Sequence, residues 1–296
     1  FGKTVMLSTL EAMFLGKKEL FQGLSAEAWV NEQAEHPSCV LHLDMSSYGT
    51  DTDVERVDSG ICSSLKAFLR KKNVPFEEKA DAVLLLNQAI DDLYNAFGSI
   101  VILIDEYDCP VVNALDDVVL AEKLQKRLQS LYSVLKSFSN KIRFLMITGI
   151  SKFVKMGIFS SLNILRDISL DSDYGSLLGY TQEEIEQYFD EYIRNSKASF
   201  DGFSSLKDKI KFYYDGYSFD GEHHVYNPFS LLYFFKNDRF ENYWYSSGTT
   251  QMLFSYLRKY KIDRFETFHS MYVPRDFTEG REMISEKLEN LLYQTG

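Results

Sequence analysis

Apolar residues recur at helical spacing over residues 4–15, where Val5, Leu7, Leu10, Met13 and Phe14 form one stripe. A polar connection follows, and then residues 38–44 (SCVLHLD) read as a short aliphatic strand. Residues 52–72 carry Val54, Val57, Ile61, Leu65, Phe68 and Leu69 on one face, with Pro75 preventing continuation. A further helix is predicted over 77–97, ended by Gly98. Residues 99–104 (SIVILI) are almost continuously apolar and β-branched, as a strand buried on both faces must be. A long amphipathic helix over 117–138 and a strand over 143–148 complete a strand–helix–strand series that predicts a parallel sheet.

Beyond about residue 170 strands thin out and aromatic residues become frequent. Thr181 and Glu184 form a capping-box pair, with Tyr180 and Ile185 placed as a hydrophobic staple. Asn227-Pro228 combines an N-cap residue with proline at the first helical position. Helices are predicted near 182–194, 204–213, 228–236 and 249–260, with one more at 280–293. The expected organisation is an α/β core over 1–172, a helical lid over 173–240, and a helical segment over 241–296 that leads toward a further domain.

Composition narrows the function classes. Among 296 residues, 32 Lys and Arg face 43 Asp and Glu, a net charge of −11 that argues against direct nucleic-acid binding by this chain. No apolar run approaches the roughly 18–20 residues of a membrane helix, so no membrane partner is expected. The three cysteines lack metal or disulfide spacing and fit free thiols in a reducing cytoplasm. Adjacent His223 and His224 point apart and make no metal site.

Three features carry chemistry, in chain order. Phe1-Gly2-Lys3-Thr4 opens directly into a helix. Glycine lets the backbone approach phosphates, lysine reaches the β- and γ-phosphates, and the threonine hydroxyl is a Mg2+ ligand. The helix start supplies unpaired N–H groups. The aliphatic strand then ends in Asp105-Glu106, where the first acid can hold Mg2+ and the second can orient or deprotonate water. The third strand ends in Thr148-Gly149-Ile150-Ser151-Lys152, which offers a small polar group to sense the γ-phosphate. Phosphate loop, acidic strand and polar strand in this order are what a nucleoside-triphosphatase core requires. Lys152, Lys155 and Arg166 form the basic cluster nearest that edge, and Arg166 is the candidate charge-stabilising finger. Asp44 with Ser46 and Ser47 ends another strand at the same edge. Asp108 is expected as a turn residue before a helix, and Tyr214-Asp215-Gly216-Tyr217 as an aromatic turn packed under the lid.

These motifs resemble the bacterial AAA-ATPase-like family, P-loop enzymes related to archaeal ATPases and often fused to a PD-(D/E)XK nuclease-like domain. The resemblance also rests on residues 158–163 (IFSSLN), Asp167-Ile168, Gly179-Tyr180-Thr181 and residues 225–230 (VYNPFS). It implies a P-loop NTPase core with a parallel sheet and a helical lid, ATP and Mg2+ as cofactors, and probe-able site residues. Gly2, Lys3, Thr4 and Val5 would contact the nucleotide, Thr4 and Asp105 the metal, and Glu106 the attacking water. Thr148 or Ser151 would be the sensor. The basic stretch that usually precedes the loop and the nuclease-like domain are absent from this chain, so it is expected to be an internal fragment. The implied activity is Mg-dependent ATP hydrolysis that gates the fused domain. The alternative is a nucleotide-binding switch or scaffold with little turnover, and homo-oligomer formation is left open.

Overall fold

A computed structural model describes residues 1–48, 53–78, 81–114, 117–149 and 164–243. They fall into two compact units, one spanning 4–165 and the other combining Phe1–Lys3 with 166–243. The predicted helices at 249–260 and 280–293, and with them nearly all of the expected 241–296 segment, lie outside the described residues.

The first unit contains α1 (Lys3–Phe14, entered at the boundary), α2 (Glu27–Gln33), β1 (Cys39–Asp44), α3 (Val54–Lys71), α4 (Ala82–Phe97), β2 (Ile100–Asp105), α5 (Cys109–Val112), α6 (Val118–Ser137) and β3 (Ile142–Ile147). The strands are all parallel, in the order β1-β2-β3. Central β2 is buried at every residue, which is why its sequence is aliphatic without alternation. On one face, Leu41, Leu43, Ile102 and Ile104 join a core with Ile61 and Leu65 of α3, Leu85 and Ile90 of α4, and Leu124 and Leu128 of α6. On the other face, Val40, Val101 and Leu103 meet Leu7 and Phe14 of α1. The result is a mixed α/β arrangement with helices on both sides of the sheet.

Helices α3, α4 and α6 start at aspartate caps. Asp53, Asp81 and Asp117 accept from the backbone N–H of Glu55, Leu84 and Leu120. The cap at Asp81 starts α4 at residue 82, later than the 77 expected from the pattern. Residues 27–33 form a helix where only a polar connection was expected. It buries Val30, and Trp29 meets the Phe14 ring edge-on at 5.4 Å.

The second unit contains α7 (Gln182–Tyr188), α8 (Asp190–Asn195), α9 (Leu206–Tyr214) and α10 (Pro228–Asn237). The capping box at Thr181 and Glu184 and the Asn227 cap with Pro228 are both present. The single helix expected over 182–194 is two, broken at Phe189. At this break the Phe189 ring stacks on Phe235 at 5.3 Å and meets Tyr180 at 5.0 Å. Phe189, Tyr214, Tyr226 and Phe234 dominate this core, with Ile185, Ile210 and Leu231.

Candidate functional site

The parallel register sets Asp44 beside Asp105, the last residues of β1 and β2. Ligands of open parallel sheets bind at this carboxyl edge. Asp105 is 1% exposed, and its Oδ1 accepts from the Thr148 hydroxyl and, at 3.0 Å, from the Glu106 N–H. Thr148 N–H donates to the Ile104 carbonyl at 2.8 Å, and Tyr107 N–H donates to the Thr148 carbonyl at 2.9 Å. Backbone bonding between β2 and β3 therefore continues past the strands and ties the acidic turn to the polar strand end. Asp44 Oδ1 accepts from the N–H of Ser46 at 2.9 Å and its hydroxyl at 2.6 Å.

Glu106 has φ +52°, a left-handed backbone that glycine adopts freely and other residues do not. It is half-buried, directly after the buried Asp105. Strain of this kind, about 1–2 kcal/mol per residue, persists only where the surroundings enforce it. Here Tyr107 and Asp108 are buried on the far side of the turn. Tyr132, itself fully buried, donates from its hydroxyl to the Tyr107 carbonyl at 3.2 Å. Asp108 precedes a helix as expected, its carbonyl accepting from Val111 at 3.0 Å and Val112 at 2.9 Å. Desolvation, and then the charges of Glu106 and Asp108, push the Cys109 thiol up to about 11. That thiol stays protonated near neutrality.

Gly149 is fixed by this turn. A Cβ there would lie 2.4 Å from the Tyr107 ring and 2.5 Å from Asp108 Oδ1. The glycine of the Thr148-Gly149 pair is thus needed for packing under the acidic turn.

Helix α1 runs opposite to the strands. Ser38 N–H donates to the Phe14 carbonyl at 3.0 Å, and Glu11 meets His42 at 2.8 Å. Three residues back along α1 correspond to four residues forward along the chain at β1, and Leu7 continues the buried stripe. The first turn of α1, with Thr4 and Val5, is thereby directed to the strand ends that carry Asp44 and Asp105. Thr4 is exposed and Val5 is 71% exposed, and no acidic residue in that turn opposes an anion. Gly2 has φ +79°, which glycine adopts without steric cost, and Lys3 is the first helical residue.

His42 was not singled out from the sequence. The available signal was a polar residue in an aliphatic strand, two positions before Asp44 and so on the same face. The Glu11 hydrogen bond raises its pKa against desolvation, and the charges of Glu11, Asp105 and Asp44 add to the rise. The bond to His42 lowers Glu11 in turn. The buried His42 Nε2 has no hydrogen-bond partner.

The structure thus gathers Asp105, Glu106 and Thr148, with α1 on the same sheet face. Arg166 belongs to the second unit, where it bonds Asp171 at 2.5 Å and lies over the Tyr174 ring at 5.9 Å. Ser151, Lys152 and Lys155 lie outside the described residues. Among the described residues no three His, Cys, Asp or Glu side chains gather as a metal centre. The oxygen donors of Asp105 and Thr4 suit Mg2+, a hard cation that keeps several waters and takes few protein ligands. No helix among the described residues is long and apolar enough to cross a membrane.

The sequence profile described as "Predicted AAA-ATPase" matches residues 1–159. A protein described as "Uncharacterized protein in vnfD 5'region", from Azotobacter chroococcum mcd 1, is 33% identical over 254 residues. The match covers 86% of this chain and 46% of that relative, so the chain spans about half its length. No solved structure matches.

Proposed function

Since the chain belongs to the predicted AAA-ATPase family, we propose that it binds ATP at the carboxyl edge of a P-loop core and hydrolyses it. The observation that carries this reading is the turn at 105–106: a buried aspartate bonded to Thr148, followed by a glutamate held at φ +52°. Two adjacent acids serve two tasks only if the backbone turns sharply between them.

Gly2 lets the loop backbone approach the phosphates, and Lys3 places its ammonium on the β- and γ-phosphate oxygens. Thr4 and Asp105 would hold Mg2+, which when bound neutralises charge on those oxygens. Val5 extends the N–H row of the first turn. Glu106 orients a water in line with the γ-phosphorus and accepts its proton as ADP leaves. Thr148, which donates to Asp105, would register loss of the γ-phosphate by exchanging that bond. Arg166 acts as a finger only after exchanging Asp171 for phosphate. Where a nuclease-like domain is joined to such a module, the cycle would gate that domain.

The test is phosphate release from Mg-ATP in the full-length protein beside Glu106→Gln. Retained ATP affinity with turnover reduced about 10²–10⁴-fold is expected of a lost general base. Tight binding with no turnover in either protein would replace hydrolysis by a nucleotide switch.

A further inference from the structure

Phe1 closes a ring triangle with two residues more than 200 positions away in the sequence. Its centroid lies 5.4 Å from Tyr217 and 5.5 Å from Phe219, at interplanar angles of 71° and 65°. Tyr217 and Phe219 are themselves 4.7 Å apart at 79°. All three contacts have the edge-to-face geometry that aromatic quadrupoles favour. Beside them Gly2 faces Leu178, whose Cδ2 would be 3.4 Å from a Cβ at position 2.

The residues that make this grip are themselves anchored. Tyr217 pairs with Val225 and Tyr180 with Tyr226 in antiparallel bridges. The supporting bonds run from Val225 N–H to Tyr217 O at 2.9 Å, from Tyr226 N–H to Tyr180 O at 2.7 Å and from Tyr180 N–H to Tyr226 O at 3.2 Å. Gly179 makes the close approach possible, because a Cβ there would lie 2.8 Å from Val225. Tyr226 is buried in the core of the helical unit. The two tyrosines of the 214–217 motif therefore do different work: Tyr214 fills that core, while Tyr217 reaches Phe1.

We propose that Tyr217 and Phe219 are positioning residues for the phosphate-binding loop, holding Gly2 and Lys3 in place through Phe1. This rests on reading residues 2–4 as that loop. A loop that cradles phosphates works through backbone N–H groups, and errors near 1 Å in such groups cost affinity. Holding Phe1 fixes the backbone immediately next to Gly2 and Lys3. The coupling is reciprocal: whatever the rings contribute to nucleotide affinity, bound nucleotide returns as stabilisation of the 217–226 platform.

Amide hydrogen exchange over residues 2–6 of the full-length protein, without nucleotide, reads the grip directly. Mg-ATP affinity reads its consequence. In Tyr217→Ala with Phe219→Ala, exchange is expected to rise and affinity to fall about tenfold, the scale of lost ring contacts. Tyr217→Phe alone, which keeps the ring, restores both. Unchanged exchange, or raised exchange with unchanged affinity, overturns the proposal. A parent protein that binds no Mg-ATP would remove the function proposed above, while the exchange comparison would still decide whether the rings hold the loop.

Discussion

The unit built on the sheet and the unit built on α7–α10 bury different kinds of side chain. Around β2 the core is aliphatic, with Ile102, Leu103, Leu65, Leu85 and Leu128 all fully buried. Around α10 it is aromatic, and its buried rings continue into half-exposed ones: Phe234 packs on Phe235 at 5.2 Å and on Phe240 at 4.5 Å. The β-branched Ile100, Val101, Ile102 and Ile104 of β2 have few rotamers, and its burial on both faces holds register. Rings offer large contact areas and tolerate several packing angles. The first kind of core suits a strand edge where the Asp105–Thr148 bond must keep its geometry. The second suits a unit whose packing can adjust without losing contact area.

The largest test of this contrast is a pair of cavities. Phe234→Ala is expected to cost about 3–5 kcal/mol and Leu128→Ala about 2–5 kcal/mol. Scanning calorimetry should show each lowering one transition and sparing the other. A single transition that both substitutions move would mean the units unfold as one. Next is Gly149→Ala, where the new methyl group meets the Tyr107 ring at 2.4 Å. Overpacking of about 1–3 kcal/mol is expected in urea denaturation. Turnover should fall further than stability, because the ring that must move lies beside Glu106.

The smallest effect concerns the ion pair between α1 and β1. His42 is raised above its ordinary 6.5, so its contribution is complete below 6.5 and lost as pH rises through the raised value. Glu11 is lowered below 4.5, so its contribution is complete above 4.5 and lost as pH falls through the lowered value. The pair is strongest between 4.5 and 6.5. Glu11→Gln should cost about 0.5–1 kcal/mol in that window and less above it. An NMR titration should find the His42 pKa lower in the variant, with Asp44 and Asp105 still supporting part of the rise.

The same contrast governs what could be read from the sequence. Strands β1 to β3 were legible because a fully buried strand admits little but aliphatic residues, and α3 and α6 because their apolar stripes are long. The short α2 was not, since it buries only Val30 and Gln33 and so shows no apolar stripe. The break at Phe189 was not, because helical periodicity runs through it and the ring contacts of Phe189 with Tyr180 and Phe235 come from outside the periodic stretch. At the candidate site, residue types and order marked Asp105, Glu106 and Thr148. The direct Asp105–Thr148 bond, the left-handed turn and the part played by Gly149 depend on a register between β2 and β3 that composition does not specify. His42 was hidden because its partner Glu11 lies on a different element.

The backbone of Glu106 also has an evolutionary side. Glutamate codons stand one nucleotide from glycine codons, and glycine is the residue for which φ +52° carries no steric penalty. Replacement by glycine would relax the turn and firm up the scaffold while deleting its carboxylate. Selection for a sturdier backbone and, on the reading proposed above, selection for the Glu106 carboxylate therefore push this position in opposite directions. A lineage that has drifted to glycine here would be one that kept the architecture and gave up that carboxylate.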